Sequence, residues 1–240
     1  VEPNGNITRA EVATIFFRLL TEKVRTANST QSNSLSDVTR GQWFNHAVST
    51  LSSMGIVKGH NDGTFAPNAP ITRAEFAAIA ARFDDKNTDT SSKFTDIASH
   101  WAKNEIGIAA NKGWINGYPD GTFAPDKAVS REDAMTLLVR FAGWKALTLP
   151  EGGELTYADA ASIQDYAKEA VAVATAAGIL AGYPDGTFLP QKSITRAEAA
   201  KILSTLMKVT DYTPVEPTEP SEEPTEEPTE EPTEEPTEEP

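Results

Sequence analysis

The 240-residue sequence contains no cysteine. That single absence removes disulfides, thiolate chemistry and cysteine-ligated zinc together. No run of 18 or more apolar residues occurs, so no stretch reads as a membrane-spanning helix and no membrane insertion is expected. An excess of positive charge is missing too. The formal net charge is −14, but residues 214–240 carry 12 of the 35 acidic residues and no basic one. The remaining 23 acids face 21 bases, leaving the body of the chain close to neutral. A nucleic-acid binder shows a basic stripe or patch on its folded part; none is visible, so nucleic acid is not an expected partner. Apolar residues are absent after Val215, where a Thr-Glu-Glu-Pro repeat takes over. Such a segment cannot form a core and reads as a disordered, self-repelling tail or spacer. The three histidines, His46, His60 and His100, show no metal-ligand spacing, and no Ser, His and acid arrangement stands out. No catalytic residue, metal or cofactor is therefore expected.

What the chain does have is a repeat. Gly182-Tyr183-Pro184-Asp185-Gly186-Thr187-Phe188-Leu189-Pro190 leads to Ile194-Thr195-Arg196-Ala197-Glu198. Gly117 to Pro125 leads in the same way to Val129-Ser130-Arg131-Glu132-Asp133, and Gly59 to Pro67 leads to Ile71-Thr72-Arg73-Ala74-Glu75. A half copy, Pro3 followed by Ile7-Thr8-Arg9-Ala10-Glu11, stands at the start, so the stretch is expected to begin inside a repeated unit. Each Pro lies 6 residues before its Arg, and each full copy runs 14 residues from first Gly to Arg. Spacing this rigid marks one supersecondary unit used repeatedly.

Each arm reads as an amphipathic helix. Val12, Ile15, Phe16 and Leu19 fall on one face, matched by Phe76, Ile79, Ala80 and Phe83, by Ala134, Leu137, Leu138 and Phe141, and by Ala199, Ile202, Leu203 and Leu206. Thr21 to Ser34 is polar and reads as a loop. The units open at Leu35-Ser36-Asp37-Val38, Phe94-Thr95-Asp96-Ile97 and Leu155 to Asp159, and each then reaches an aromatic, Trp43, Trp101 or Tyr166. From that aromatic to the turn glycine is 16 residues in every case, a second helix closed by Gly55, Gly113 or Gly178 in a left-handed conformation. Two short helices with one apolar stripe each cannot bury it alone. The expected fold is all-α: tandem helix-loop-helix repeats forming a single-chain, pseudo-threefold helical cluster, followed by the Pro/Thr/Glu tail. The segments are a truncated half motif at 1–25, repeats at 35–84, 94–142 and 155–210, and the tail at 214–240.

Thr or Ser followed three residues later by an acid is a capping box, weaker at Ser130 and Asp133 because Asp reaches back less far. The arginine is the anomaly. It sits in the first helical turn, where a cation meets the positive end of the helix dipole at a cost of roughly 0.3–1 kcal/mol. Either an ion pair with an acid such as Asp37, Asp96 or Asp159 offsets this, or an anionic ligand does. The Tyr-Pro-Asp-Gly-Thr-Phe turn offers one carboxylate, too few for calcium, and Phe65, Phe123 and Phe188 read as core plugs. Tyr118 and Tyr183 beside that turn could stack on a sugar ring. Trp43 and Trp101 read either as core or as ligand platforms.

Phe94-Thr95-Asp96-Ile97, His100-Trp101-Ala102, Gly117 to Phe123 and the Thr-Arg-Ala-Glu arm together resemble the S-layer homology (SLH) motif, present as three copies plus a half over residues 3–210. The resemblance implies a non-catalytic, secreted module in the cell wall or S-layer of a Gram-positive-type bacterium. It also implies that grooves between repeats bind secondary cell-wall polysaccharide attached to peptidoglycan, a negatively charged and typically pyruvylated amino-sugar glycan. S-layer or surface-enzyme regions are expected elsewhere in the parent protein. Carried over by position, the ligand-binding candidates are Arg9, Arg73, Arg131 and Arg196, Asp37, Asp96 and Asp159, Trp43 and Trp101, Gly59, Gly117 and Gly182, with Tyr118 and Tyr183. Glu132 beside Arg131, Tyr166 in place of Trp, and His60-Asn61 in place of Tyr-Pro predict unequal grooves. If grooves form between units, Arg9 belongs with residues 37–65, Arg73 with 96–123 and Arg131 with 159–188; if they form within a unit, Arg9 is the spare arm. A helical protein-docking module and a cell-wall hydrolase are the competing classes. The first calls for an exposed apolar groove rather than recurrent Arg, and the second for turnover of glycan.

Overall fold

The computed structural model describes residues 5–83, 89–141, 155–195 and 197–199. Among the described residues seven α-helices carry the architecture: α1 Arg9–Leu19, α2 Glu22–Ala27, α3 Asn45–Ser53, α4 Arg73–Phe83, α5 Lys103–Asn111, α6 Arg131–Phe141 and α7 Asp165–Ala176. The only β pairing among the described residues is four isolated bridges, so the chain is all-α as its periodicity predicts. The apolar faces behave as expected: Val12, Phe16 and Leu19, all of Phe76, Ile79, Ala80 and Phe83, and Ala134, Leu137 and Leu138 are buried. Ile202, Leu203 and Leu206 of the fourth arm, and the tail, lie outside the described residues. α2 corrects the reading of Thr21 to Ser34 as loop throughout. It buries no residue and is held by the Thr21 hydroxyl accepting from Val24 N–H at 3.2 Å, so it lacks the apolar stripe that periodicity detects.

Helices pair between repeats. Each arm packs on the opening helix of the next unit: α1 on α3, α4 on α5, α6 on α7. Four buried residues, one ahead of each arm, tie the units into a ring. Ile71 N–H donates to Ile7 O (3.3 Å), Val129 to Ile71 (3.2 Å), Ile194 to Val129 (3.3 Å), and Ile7 to Ile194 (3.0 Å). Among the described residues, the three repeats and the additional arm α1 thus close a circle. Below the ring, Phe16, Phe83 and Phe141 meet in a triangle with centroids 5.5–5.9 Å apart, each pair adding about 0.5–1.5 kcal/mol beyond area burial.

The rigid Pro-to-Arg spacing answers to backbone pairing between successive repeats. The first N–H groups of a helix have no partner within it. Here Arg9 and Ala10 N–H donate to Ala69 O and Pro67 O, Arg73 and Ala74 to Lys127 O and Pro125 O, and Arg131 and Glu132 to Lys192 O and Pro190 O, all at 2.9–3.2 Å. Each repeat's turn therefore caps the preceding arm, and an insertion between Pro and Arg would break that pairing. Gly55, Gly113 and Gly178 close their helices at φ +72, +71 and +68°, as expected for left-handed caps.

Candidate ligand grooves between repeats

All four capping boxes form. Thr8 and Glu11, Thr72 and Glu75, Ser130 and Asp133, and Thr195 and Glu198 each exchange bonds in both directions. Asp133 reaches Ser130 N–H at 3.1 Å, against 2.9 Å for each of the three Glu boxes, so the shorter acid makes the longest of the four bonds. In Glu75, Asp133 and Glu198 one carboxylate oxygen serves the cap of its own helix and the second points away from that cap. That second oxygen meets the arginine of the preceding arm: Glu75 pairs with Arg9, Asp133 with Arg73, and Glu198 with Arg131 at 2.8 Å. The electrostatic anomaly is thereby resolved. A cation at a helix start is offset by a buried ion pair, and its partners are the next arm's capping acids rather than Asp37, Asp96 or Asp159. Sequence reasoning assigned these acids to capping alone; the spare oxygen of each carboxylate was the available signal.

Asp37, Asp96 and Asp159 hold the turn instead. Each accepts two consecutive backbone N–H groups, Phe65 and Ala66, Phe123 and Ala124, or Phe188 and Leu189, at 2.7–2.8 Å. Ala66, Ala124 and Leu189 have φ of +53, +52 and +54°, a left-handed conformation costing a non-glycine residue about 1–2 kcal/mol. The two-oxygen clamp holds that conformation in place. Asp62, Asp120 and Asp185 close the tip, each accepting from the hydroxyl and N–H of the Thr two residues on. Those bonds hold the three carboxyls below the usual range.

The arginines reach the turn of the following repeat. Arg9 Nε donates to Phe65 O at 2.6 Å and Nη2 to Lys58 O at 3.2 Å. Arg73 does the same to Phe123 O (2.8 Å) and Asn116 O (3.1 Å), and Arg131 Nε reaches Phe188 O at 2.8 Å. Each of these arginines thus meets the turn of the unit that follows it. Burial pushes the Arg9 and Arg73 guanidinium groups down from their ordinary value; at Arg9 the Glu75 charge, its hydrogen bond and then Asp37 act against burial. Arg196 lies outside the described residues.

The remaining candidates separate. Trp43 and Trp101 are 62% and 57% exposed, so neither is a core residue. Trp101 lines a cavity of about 320 Å3 together with Arg9, Lys58, Gly59, His60 and Arg82. Trp43 stands apart from that cavity, edge-on to Phe44 at 5.3 Å. Gly59, Gly117 and Gly182 serve close packing: a Cβ on any of them would run into the unit's opening residue, Leu35, Phe94 or Tyr157, and into the carbonyl of the turn Thr. Tyr118 and Tyr183 stack on protein cations. Arg73 lies 5.0 Å from the Tyr118 ring and 4.6 Å from Phe123, and Arg131 lies 4.8 Å from Tyr183 and 4.9 Å from Phe188. Arg9 has Phe65 at 4.6 Å, while its other neighbour in the turn is His60 instead of Tyr. The groove at Arg73 encloses only about 20 Å3. Arg82 and Glu105, not singled out in the sequence, form an ion pair at the far end of the large cavity (Nε to Oε1, 3.0 Å), with Arg82 5.8 Å from the Trp101 ring.

Among the described residues no helix is long and apolar enough to cross a membrane, and no group of His, Asp or Glu could hold a metal ion. The chain is 37% identical over 145 residues to a cellulosome-anchoring protein of Acetivibrio thermocellus, covering 58% of this chain and 32% of that protein. It is 32% identical over 200 residues to an endoglucanase of Bacillus sp. (80% and 21%), and 28% identical over 196 residues to a surface-layer 125 kDa protein of Lysinibacillus sphaericus (80% and 16%). The chain thus spans about a sixth to a third of these relatives. The S-layer homology domain model matches residues 34–77, 93–135 and 156–200, each a unit running from the opening Asp clamp to its capping box, and the chain belongs to the S-layer homology domain family.

Proposed function

We propose that this chain is a non-catalytic cell-surface anchoring module that binds anionic secondary cell-wall polysaccharide, carrying pyruvate ketals on amino sugars, through its Arg-containing grooves. The observation that carries the reading is the cavity at Arg9. It brings a guanidinium held by one repeat's backbone together with the exposed indole of Trp101 from the next. An aromatic face and a lining in which Arg9, Lys58 and Arg82 outnumber Glu75 and Glu105 suit a sugar ring bearing a carboxylate, and about 320 Å3 falls within the roughly 300–1,000 Å3 of small-molecule sites. Relatives named for anchoring the cellulosome and for the surface layer support a location in the cell wall or S-layer of a Gram-positive-type bacterium. The endoglucanase shares only 21% of its length with this chain, so catalysis is assigned to other parts of such proteins. On this reading the repeats at 35–84, 94–142 and 155–210 are the binding units and 214–240 is a spacer.

The test is a pull-down with purified cell-wall sacculi before and after chemical removal of the secondary polymer. Binding is expected to fall at least tenfold on removal. Equal binding to both preparations defeats the proposal.

A further inference from the structure

We propose that the groove at Arg73 is filled by the chain's own side chains, Tyr166 and Glu132, and takes no glycan, whereas the groove at Arg9 is open. The glycan clause rests on the function proposed above; the filling of the groove does not.

The two grooves share a backbone. In both, Nε of the arginine donates to the turn Phe carbonyl, Nη2 to a carbonyl at the start of the turn, and Nη1 pairs with the next capping acid. In both, the guanidinium lies 4.6 Å from that Phe ring. Corresponding residues line both: Val57 and Ile115, Ile71 and Val129, Ala78 and Thr136, Ile79 and Leu137. The difference in volume, about 320 against 20 Å3, therefore comes from what faces the arginine.

At Arg9 that is Trp101, 57% exposed, with Ala74 following the arm's arginine. At Arg73 it is Tyr166 and Glu132. Tyr166 lies in the first turn of α7, whereas Trp101 precedes α5, and its hydroxyl donates to Asp133 Oδ1 at 2.8 Å and toward Glu132 Oε1 at 3.2 Å. Glu132 is fully buried. Its Oε1 also accepts from Gln191 Nε2, and its Oε2 accepts from Gln164 N–H at 3.1 Å. The Tyr118 ring lies 5.0 Å from the Arg73 guanidinium and meets the Tyr166 ring at 6.3 Å. An anionic glycan entering here would have to displace a hydrogen-bonded ring, and would then face a buried carboxylate that already satisfies its own donors. Burial, and then the Glu132 charge, raise the Tyr166 hydroxyl above its ordinary value, so it remains a donor at physiological pH.

The missing cysteines make a direct test available. Ala78→Cys and Thr136→Cys place a single thiol at corresponding positions on the walls of the two grooves in an otherwise native chain. Reaction with 2-sulfonatoethyl methanethiosulfonate is expected to be at least tenfold faster for Ala78→Cys. Adding Tyr166→Ala and Glu132→Ala to Thr136→Cys is expected to recover that factor. Equal rates for the two single variants overturn the filling of the groove, whether or not the multiple variant folds. Calorimetric titration then uses the methyl glycoside of an N-acetylhexosamine bearing a cyclic pyruvate ketal. The Tyr166→Ala, Glu132→Ala chain should bind one more equivalent than wild type, and an unchanged stoichiometry despite fast thiol labelling overturns the glycan clause. No binding to wild type, with the labelling contrast intact, sinks the function proposed for the Arg9 groove and leaves the filled groove standing.

Discussion

Removing the arginine from the closed groove should cost more stability than removing it from the open one. Arg9 and Glu75 side chains are 8% and 11% exposed, Arg73 and Asp133 4% and 7%. Each guanidinium makes an ion pair and two bonds to carbonyls, so truncation to Ala strands one carboxylate and two acceptors. Removing one partner of a buried pair costs about 3–5 kcal/mol, because the other charge is left uncompensated. The difference lies in what replaces the lost partner. Beside Glu75 is the 320 Å3 cavity, through which water can reach the carboxylate. Beside Asp133 only about 20 Å3 is available. Arg9→Ala should therefore fall near the low end, about 3 kcal/mol, and Arg73→Ala near about 5 kcal/mol. Urea unfolding monitored by circular dichroism reads both as shifts in midpoint at constant slope. A cost below about 1 kcal/mol for either, or a larger cost at Arg9, refutes the view that these arginines are buried structural charges with unequal access to water.

Other substitutions separate packing, backbone strain and charge. Gly182→Ala places a Cβ 2.7 Å from Tyr157 Cε1 and 2.8 Å from Thr187 O, and should destabilise by about 1–3 kcal/mol through overpacking; an unchanged melting temperature would contradict a packing role. Ala124→Gly relieves a φ of +52° and should stabilise by about 1 kcal/mol, whereas a loss in thermal unfolding would show that the methyl group matters more than the strain. At Glu198 burial raises the carboxyl pKa, but the Tyr183 hydroxyl, Thr195 N–H and Arg131 together outweigh it and the net shift is downward. A depressed carboxyl contributes stability above its unfolded value of about 4.3 and loses it as pH falls through the folded one. Tyr183→Phe should therefore move that loss to higher pH, and carbon-detected carboxyl titration showing Glu198 at the ordinary value would count against the network. Tyr166 is shifted the other way, so its contribution is present below about pH 10 and is lost only as pH rises through the folded value. Ultraviolet titration should show a tyrosine component that resists ionisation in the folded chain, and Tyr166→Phe should reduce it by one residue.

The sequence by itself determined the repeat, the helices that carry an apolar stripe and the capping boxes, though not α2, because these depend on neighbours within a few positions. The i, i+3, i+4, i+7 stripe of Phe76, Ile79, Ala80 and Phe83, the Thr72 and Glu75 box, and Gly113 after α5 each report a local requirement of the backbone. It also marked Arg9, Arg73 and Arg131 as charges in need of a partner, since the dipole argument is local too. Tertiary structure alone decided which partner. Glu75 is 66 residues from Arg9 in the chain, and the ion pair exists because the ring of Ile7, Ile71, Val129 and Ile194 sets each arm beside the next. The same holds for the aromatics. Trp101 and Tyr166 stand at one position of the repeat, but helix α7 begins before its aromatic and α5 begins after. That difference, together with Glu132 in place of Ala74, leaves one ring toward solvent beside an open cavity and fastens the other across a closed one. Spacing in the chain fixes what each unit can form; whether a groove is open depends on side chains contributed by three segments of different repeats, whose contact no local pattern encodes.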